Sequence, residues 1–315
     1  MARVAIIGTG LVGRAWAISF ARAGHEVALH DGAPDAPEQA LAFIRLAIPE
    51  LAANGLLDDQ DLASLLARIT IAPDLGAALA DAAHVQESTP ERVEVKRQVF
   101  AELDRLAPKD AVLASSTSAL LPSSFTEHVE GRHRCLVVHP INPPYLVPAA
   151  EVVPSPWTSP DCVERTRQFL IAAGHAPIVM KRELSGFVMN RMQAALLEEA
   201  FRLVADGYAG IEDVDIGIRE GLALRWSFMG PFETIDLNAP GGVRDYAERY
   251  ERIYAKIFAS TQWRADWSGP IMDRIEAERR ARLPAERLGE RAAWRDSRLM
   301  ALAAHKRRAA DEMGE

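Results

Sequence analysis

Residues 3–13, Arg-Val-Ala-Ile-Ile-Gly-Thr-Gly-Leu-Val-Gly, constrain the fold more than any other stretch of the chain. A short apolar run ends in Gly8-Thr9-Gly10-Leu11-Val12-Gly13, and helical periodicity follows. In such a turn the first glycine permits the sharp bend. The second lets backbone N–H groups approach a pyrophosphate, and the third lets helix and strand pack closely. The helix N-terminus then attracts the anion. Gly8, Gly10, Leu11, Val12 and Gly13 are therefore candidate cofactor-binding positions. Alone, the pattern says little. Here a second apolar run, 26–30, follows in register and ends in Asp31, 18 residues after Gly13. A carboxylate at that place can hydrogen-bond both ribose hydroxyls and repels a 2′-phosphate. Residues 32–34, Gly-Ala-Pro, hold no arginine to receive one. The cofactor predicted is NAD rather than NADP; FAD shares the glycine fingerprint.

Further apolar runs lie at 69–72, 84–87, 111–115, 135–139, 151–153 and 177–181. They are rich in Val, Ile and Leu without strict alternation, as strands covered on both faces are. Helical spacing fills 13–24, 37–54, 60–67, 91–106 and 160–173. Strands alternating with helices predict an α/β Rossmann-type fold, a doubly wound parallel sheet. After about residue 182 the spacing is almost only helical, broken at Gly207, Gly210, Gly230-Pro231 and Pro240-Gly241-Gly242. The chain of 315 residues thus divides into a NAD-binding domain, 1–182, and an all-α substrate and dimerisation domain, 183–315. A net charge of −8 argues against a nucleic-acid partner. Two isolated cysteines, Cys135 and Cys162, offer no metal-binding spacing and fit a reducing compartment. No leader-like segment precedes the first strand, and no apolar run reaches 18 residues, so a cytoplasmic protein without a membrane partner is expected. The charged tail, with Arg279-Arg-Ala-Arg282 and Lys306-Arg-Arg308, reads as solvated helix faces.

Chemistry concentrates at predicted strand ends. Cys135-Leu-Val-Val-His139-Pro140-Ile-Asn142-Pro143-Pro144-Tyr145 runs from a strand into a proline-locked loop, and Glu151 opens the next apolar run. A carboxylate brought back beside an imidazole fixes its tautomer and stabilises its charged form, which a proton-transfer site needs. Taken alone, such a histidine is equally a capped core residue. Ser115-Ser116-Thr117-Ser118 closes the fifth strand. After Gly186 a helix places Asn190, Ala194, Leu197 and Phe201 on one face, expected to pack inward. An asparagine there needs a partner, a substrate oxygen or a backbone carbonyl.

Together, Gly8-x-Gly10-x-x-Gly13, Glu87-x-x-x-Glu91-x-x-x-x-Lys96, Ser116-Thr-Ser118, His139-Pro-x-Asn142-Pro, Glu151-Val-Val and Gly186-Phe-x-x-Asn190-Arg191 resemble the 3-hydroxyacyl-CoA dehydrogenase superfamily, in the same order over most of the chain. The resemblance implies that His139 exchanges the proton, Glu151 orients it, and Ser118 and Asn190 bind the substrate oxygen. It also implies that Glu91, Lys96 and Ser116 lie along the cofactor. One departure is Ser116, where the family often carries asparagine. Gly221-Leu-Ala-Leu-Arg225-Trp226-Ser-Phe-Met-Gly230-Pro231-Phe-Glu233-Thr, Leu237-Asn238-Ala and Trp294-Arg295-Asp296-x-x-Leu-Met are similar to the lambda-crystallin branch, the L-gulonate 3-dehydrogenases. That similarity implies a homodimer in which Arg225 reaches across to hold a small acid's carboxylate, a bidentate task suited to guanidinium. A surface or interface ion pair is the other reading of Arg225. Acyl-CoA and L-carnitine dehydrogenases share the wider group, and a crystallin-like structural role without turnover is the reading from another class. Residues 38–68, the helical insert that helps hold CoA in acyl-CoA relatives, carry five acidic residues (Glu38, Glu50, Asp58, Asp59, Asp61) against Arg45 and Arg68. A net negative insert suits a phosphate-rich carrier poorly.

Overall fold

The computed structural model describes residues 1–57, 60–261, 263 and 267–314. The described residues form two compact units, residues 1–188 with 290–315, and residues 189–289.

The first unit is built on an eight-stranded sheet: β1 (Arg3–Ile7), β2 (Glu26–His30), β3 (Ile69–Ile71), β4 (Ala82–Glu87), β5 (Val112–Ser115), β6 (Cys135–Pro140), β7 (Ala149–Pro154) and β8 (Ala176–Val179). Their order across the sheet is β3-β2-β1-β4-β5-β6-β7-β8. Every predicted apolar run is a strand. The helices of this unit are α1 (Leu11–Arg22), α2 (Ala36–Ala53), α3 (Leu62–Ala67), α4 (Leu75–Leu79), α5 (Val93–Leu106), α6 (Pro122–Thr126) and α7 (Pro160–Ala172). The short α4 and α6 carry too few turns to show a period in the sequence.

Side chains alternate across the sheet. Val4 and Ile6 of β1 join a core with Trp16, Phe20, Ile44 and Ile48 of α1 and α2. Ala5 and Ile7 join the opposite core, with Phe100 and Phe125 of α5 and α6. This two-faced burial is why the strands read as continuous apolar runs.

The sequence pattern predicts a parallel sheet, and the structure departs from it at one strand pair. β7 runs antiparallel to β6, with His139 opposite Glu151, and β8 runs parallel to β7. Only residues 141–148 join β6 to β7. A parallel return needs a crossover of about a dozen residues or more, so this short link can only fold back. From β7 to β8 the chain has room for α7, and the parallel arrangement resumes.

The second unit holds α8 (Met189–Ala205), α9 (Ile211–Ile216), a π-helical turn (Gly217–Leu222), α10 (Ala223–Trp226), α11 (Pro231–Leu237), α12 (Gly242–Ser260) and α13 (Gly269–Arg282). By their internal contacts the units divide at Val188, and from Glu290 onward α14 (Leu288–Met313) groups with the first unit and not with the helical one in which the sequence reading put it. The cause is α14's packing. Met300 is buried in the core of α1 and α2, with Leu299, Ala303 and Ala304 against it, and the Asn54 amide contacts its sulfur at 3.8 Å. The α8 face expected to pack inward is not covered: Ala194 and Leu197 are exposed. At the far end of that face Phe201 stacks on Trp267, with ring centroids 4.7 Å apart.

Candidate functional site

The glycine turn forms as the residue pattern demands. Gly8, at φ 91°, lies so close to the backbone of Ser88 that a Cβ would stand 2.6 Å from its carbonyl carbon. A Cβ on Gly13 would stand 1.9 Å from the Gly8 carbonyl oxygen. Gly10 is different, for a Cβ there meets nothing within 4 Å. Gly10 is extended at the N-terminus of α1, no side chain caps that helix, and its first turn carries no acidic residue. The amide groups of Leu11, Val12 and Gly13 are therefore presented with neither a Cβ nor a carboxylate in front of them, as an anion cradle requires.

Asp31 follows β2 and folds back over the turn. Its Oδ2 accepts from the Thr9 amide at 2.6 Å and its Oδ1 from the Ala33 amide at 2.9 Å. The strand order reverses between β1 and β4, whose C-terminal ends meet at Gly8 and Ser88. In open α/β sheets that crevice takes the ligand. The glycine cradle, the Asp31 carboxylate and the absence of a cation at 32–34 together fit an adenine dinucleotide with free ribose hydroxyls.

The antiparallel β6/β7 pair places His139 and Glu151 side by side. His139 Nδ1 lies 2.6 Å from Glu151 Oε2, with the glutamate wholly buried. The other oxygen, Oε1, accepts from the Val188 amide at 2.6 Å. With the carboxylate ionised, its Oε2 accepts from His139 Nδ1–H, so that both oxygens are acceptors. Nε2 is left as the nitrogen with the lone pair. Phe187 is buried against the imidazole, with ring centroids 5.6 Å apart, in a left-handed conformation at φ 47°. That turn aims the Val188 amide at Glu151. Sequence reading missed Phe187 and Val188 as supports; the only signal was the Gly186-Phe pair after the last strand.

Ser118 sits in the loop after β5, and Glu91 shapes that loop. Glu91 Oε1 accepts from Thr117 Oγ1 at 2.5 Å and from the amides of Ser118 and Ala119 at 2.9 and 3.1 Å. Its second oxygen lies 3.8 Å from Lys96 Nζ. Lys96 is itself fully buried, its ammonium on both oxygens of buried Glu87 at 2.9 and 3.0 Å. Glu87 also accepts from Ser115 Oγ and the Thr89 amide. Such a pair is well compensated by its own hydrogen bonds. Any influence of Lys96 on a cofactor runs through the loop it supports. Ser116 lies one step away, its hydroxyl bonded to Gln86, Trp16 and Ser88.

Asn190 and Arg225 belong to the second unit. Asn190 is in the first turn of α8, and Arg225 is exposed on α10. Arg225 lies near enough to Tyr246 to oppose the upward shift that the Tyr254 hydrogen bond imposes on that phenol. The two cysteines are buried packing residues: burial pushes the Cys162 thiol up to about 11 and Cys135 higher still.

The chain is similar to known proteins over most of its length. Residues 3–183 match the NAD-binding domain family of 3-hydroxyacyl-CoA dehydrogenase, and residues 186–270 match that enzyme's C-terminal domain family. A lambda-crystallin homolog of Bos taurus is 40% identical over 303 residues, covering 95% of this chain and 94% of its own. An L-carnitine dehydrogenase of Streptomyces griseus is 40% identical over 251 residues, 79% of this chain and 73% of its own. A crystal structure of 5-formyl-3-hydroxy-2-methylpyridine 4-carboxylic acid 5-dehydrogenase, an NAD+-dependent dismutase, superposes with a TM-score of 0.82 at 28% identity over the whole of both chains.

Proposed function

The chain belongs to the 3-hydroxyacyl-CoA dehydrogenase family and is an NAD-dependent dehydrogenase, and from that premise we propose that it oxidises the 3-hydroxyl of a small free hydroxy acid, L-gulonate to 3-dehydro-L-gulonate, in the cytoplasm. The observation that carries the chemistry is the 2.6 Å bond between His139 Nδ1 and buried Glu151. It leaves Nε2 as a base toward the substrate hydroxyl. NAD, when bound, accepts a hydride from the substrate carbon. Gly8, Gly10, Leu11, Val12, Gly13 and Asp31 hold the cofactor, with Glu91, Lys96 and Ser116 supporting its nicotinamide end. His139 takes the hydroxyl proton, and Glu151 stabilises the imidazolium that results. Ser118, held by Glu91, and Asn190 hydrogen-bond the reacting oxygen. Arg225 of a second copy of the chain, reaching across the homodimer, receives the carboxylate.

The insert supports a free acid over an acyl-CoA. Asp58 and Asp59 lie outside the described residues. Of the two arginines, Arg68 is engaged by the Ala21 carbonyl and Gln60, which leaves Arg45 as the insert's one exposed cation for a phosphate. Among the relatives, two are named for free acids, L-carnitine and a pyridine carboxylic acid, and one, 34% identical over 98% of this chain, for an acyl-CoA. A homodimer is part of the reading. Phe228, Phe232, Leu237 and Phe258 of the helical unit are exposed, and a second copy of the chain would cover them. The test is NADH absorbance with L-gulonate, L-carnitine and 3-hydroxybutyryl-CoA in parallel, for wild type and His139→Gln. L-gulonate should give the highest kcat/KM. His139→Gln should lower turnover about 10²–10⁴-fold with NAD affinity little changed. Near-normal turnover of the variant would refute the assignment, and preference for the acyl-CoA would refute the substrate.

A further inference from the structure

A chain of hydrogen bonds, buried at His84 and Gln86 and partly buried at Ser116 and Ser88, crosses the sheet beneath the cofactor crevice, and its direction can be worked out from end to end. Gln86, fully buried on β4, has its amide nitrogen 3.3 Å from the Val138 carbonyl and 2.7 Å from Ser116 Oγ, and its amide oxygen 3.0 Å from His84 Nε2. A carbonyl only accepts, so the Val138 oxygen fixes which end of the Gln86 amide is nitrogen. Gln86 therefore donates to Ser116, and His84 donates Nε2–H to Gln86. Burial holds the His84 pKa down to about 4, which keeps that ring a neutral single-tautomer donor at neutral pH. The indole N–H of Trp16 also donates to Ser116 Oγ, at 3.2 Å.

Two fixed donors occupy both lone pairs of the Ser116 hydroxyl. Its own proton must then go to its third neighbour, Ser88 Oγ, 2.9 Å away. Ser88 stands immediately after β4, against the Gly8 turn, where the strand order reverses. It receives Ser116's proton, so its own O–H is directed away from Ser116.

We propose that Ser88 is a cofactor-binding residue, its hydroxyl turned outward as a hydrogen-bond donor to an oxygen of the dinucleotide. Gln86, Trp16 and Ser116 are the positioning residues that set its direction. Ser116 acts on the cofactor through Ser88. The inference rests on the chain's NAD dependence and on no choice of substrate. It has a consequence that packing alone would not produce. Removing either fixed donor frees a lone pair on Ser116, into which Ser88 can turn its proton, and the outward donor is lost.

The experiment is NADH titration of the substrate-free protein by fluorescence, with no turnover involved. Ser88→Ala should raise the NADH Kd on the order of ten-fold. Gln86→Leu should weaken binding several-fold in the wild-type background and by less than about two-fold in the Ser88→Ala background, the non-additivity expected of residues acting through one contact. Trp16→Phe, which keeps the ring and removes the donor, should behave the same way and serves where Gln86→Leu is poorly folded. A Ser88→Ala Kd within two-fold of wild type, or fully additive effects, would overturn the inference while leaving the NAD assignment intact. Absence of NADH binding by wild type would overturn both.

Discussion

At the scale of single residues, the site depends on which atom of each pair carries the proton. Glu151 accepts from Val188 through one oxygen and from His139 through the other. Glu151→Gln keeps the shape but cannot keep the polarity. Its oxygen must face the Val188 amide, so its NH2 faces His139 Nδ1 and drives the ring proton to Nε2. The base is then in the wrong tautomer. The expected outcome is a fall in kcat of about 10³–10⁴-fold with little change in melting temperature, read by steady-state kinetics and calorimetry on the same preparation. His139 and Glu151 could be singled out in the sequence, because a histidine at a strand end and a glutamate opening the next run lie close along the chain. Gln86 and Ser88 could not, since nothing local shows that a strand glutamine will lie under a serine 30 residues further on. Partners of buried polar groups are set by which strands become neighbours.

At the scale of elements, the β6–β7 reversal does for the site what no single residue could. It puts residues 12 apart in sequence directly across from each other. Had the link been long enough for a helix, Glu151 would have come to a parallel strand and lost this register. The glycine turn makes a complementary pair of expectations. Gly13→Ala forces a Cβ against the Gly8 carbonyl, at the closest approach of α1 to the end of β1. It should destabilise the protein by about 3 kcal/mol or more, seen in denaturant unfolding. Gly10→Ala meets no protein atom. It should leave stability within about 1 kcal/mol and instead weaken NAD binding, because its methyl would stand before the α1 N-terminus that we propose receives the pyrophosphate. If both variants lost stability equally, the division between scaffold glycine and ligand glycine would be wrong.

At the scale of the whole molecule, buried histidines make folding acid-sensitive. Burial holds His84 and His175 down to about 4 from an ordinary 6.5. Below pH 6.5 the unfolded chain binds protons that the folded chain refuses, so stability falls as pH drops from about 6.5 toward 4. Each histidine contributes at most about 1.4 kcal/mol per pH unit over that window. His175→Phe, which keeps a ring beside Trp16, should flatten the slope of unfolding free energy between pH 6 and 4.5 by up to that amount, measured by denaturant titration. An unchanged slope would mean that His175 is protonated in the folded state.

The sheet, its glycine turn and the pairing of His139 with Glu151 were legible because each is written in short-range terms: strand-length apolar runs, glycines at fixed spacing, a histidine and a glutamate on consecutive strands. Three features were not. The reversal of β7 turned on whether eight residues could span a crossover. The return of α14 turned on one methionine finding a core built by α1 and α2, half the chain or more away. The polarity of the hydrogen-bond chain ending at Ser88 turned on a carbonyl of β6 lying beside β4's glutamine, two strands across. Local pattern specifies elements and the chemistry they carry. Contacts between residues distant along the chain exist only once those elements have packed, and it is there that protons and donors are given their direction.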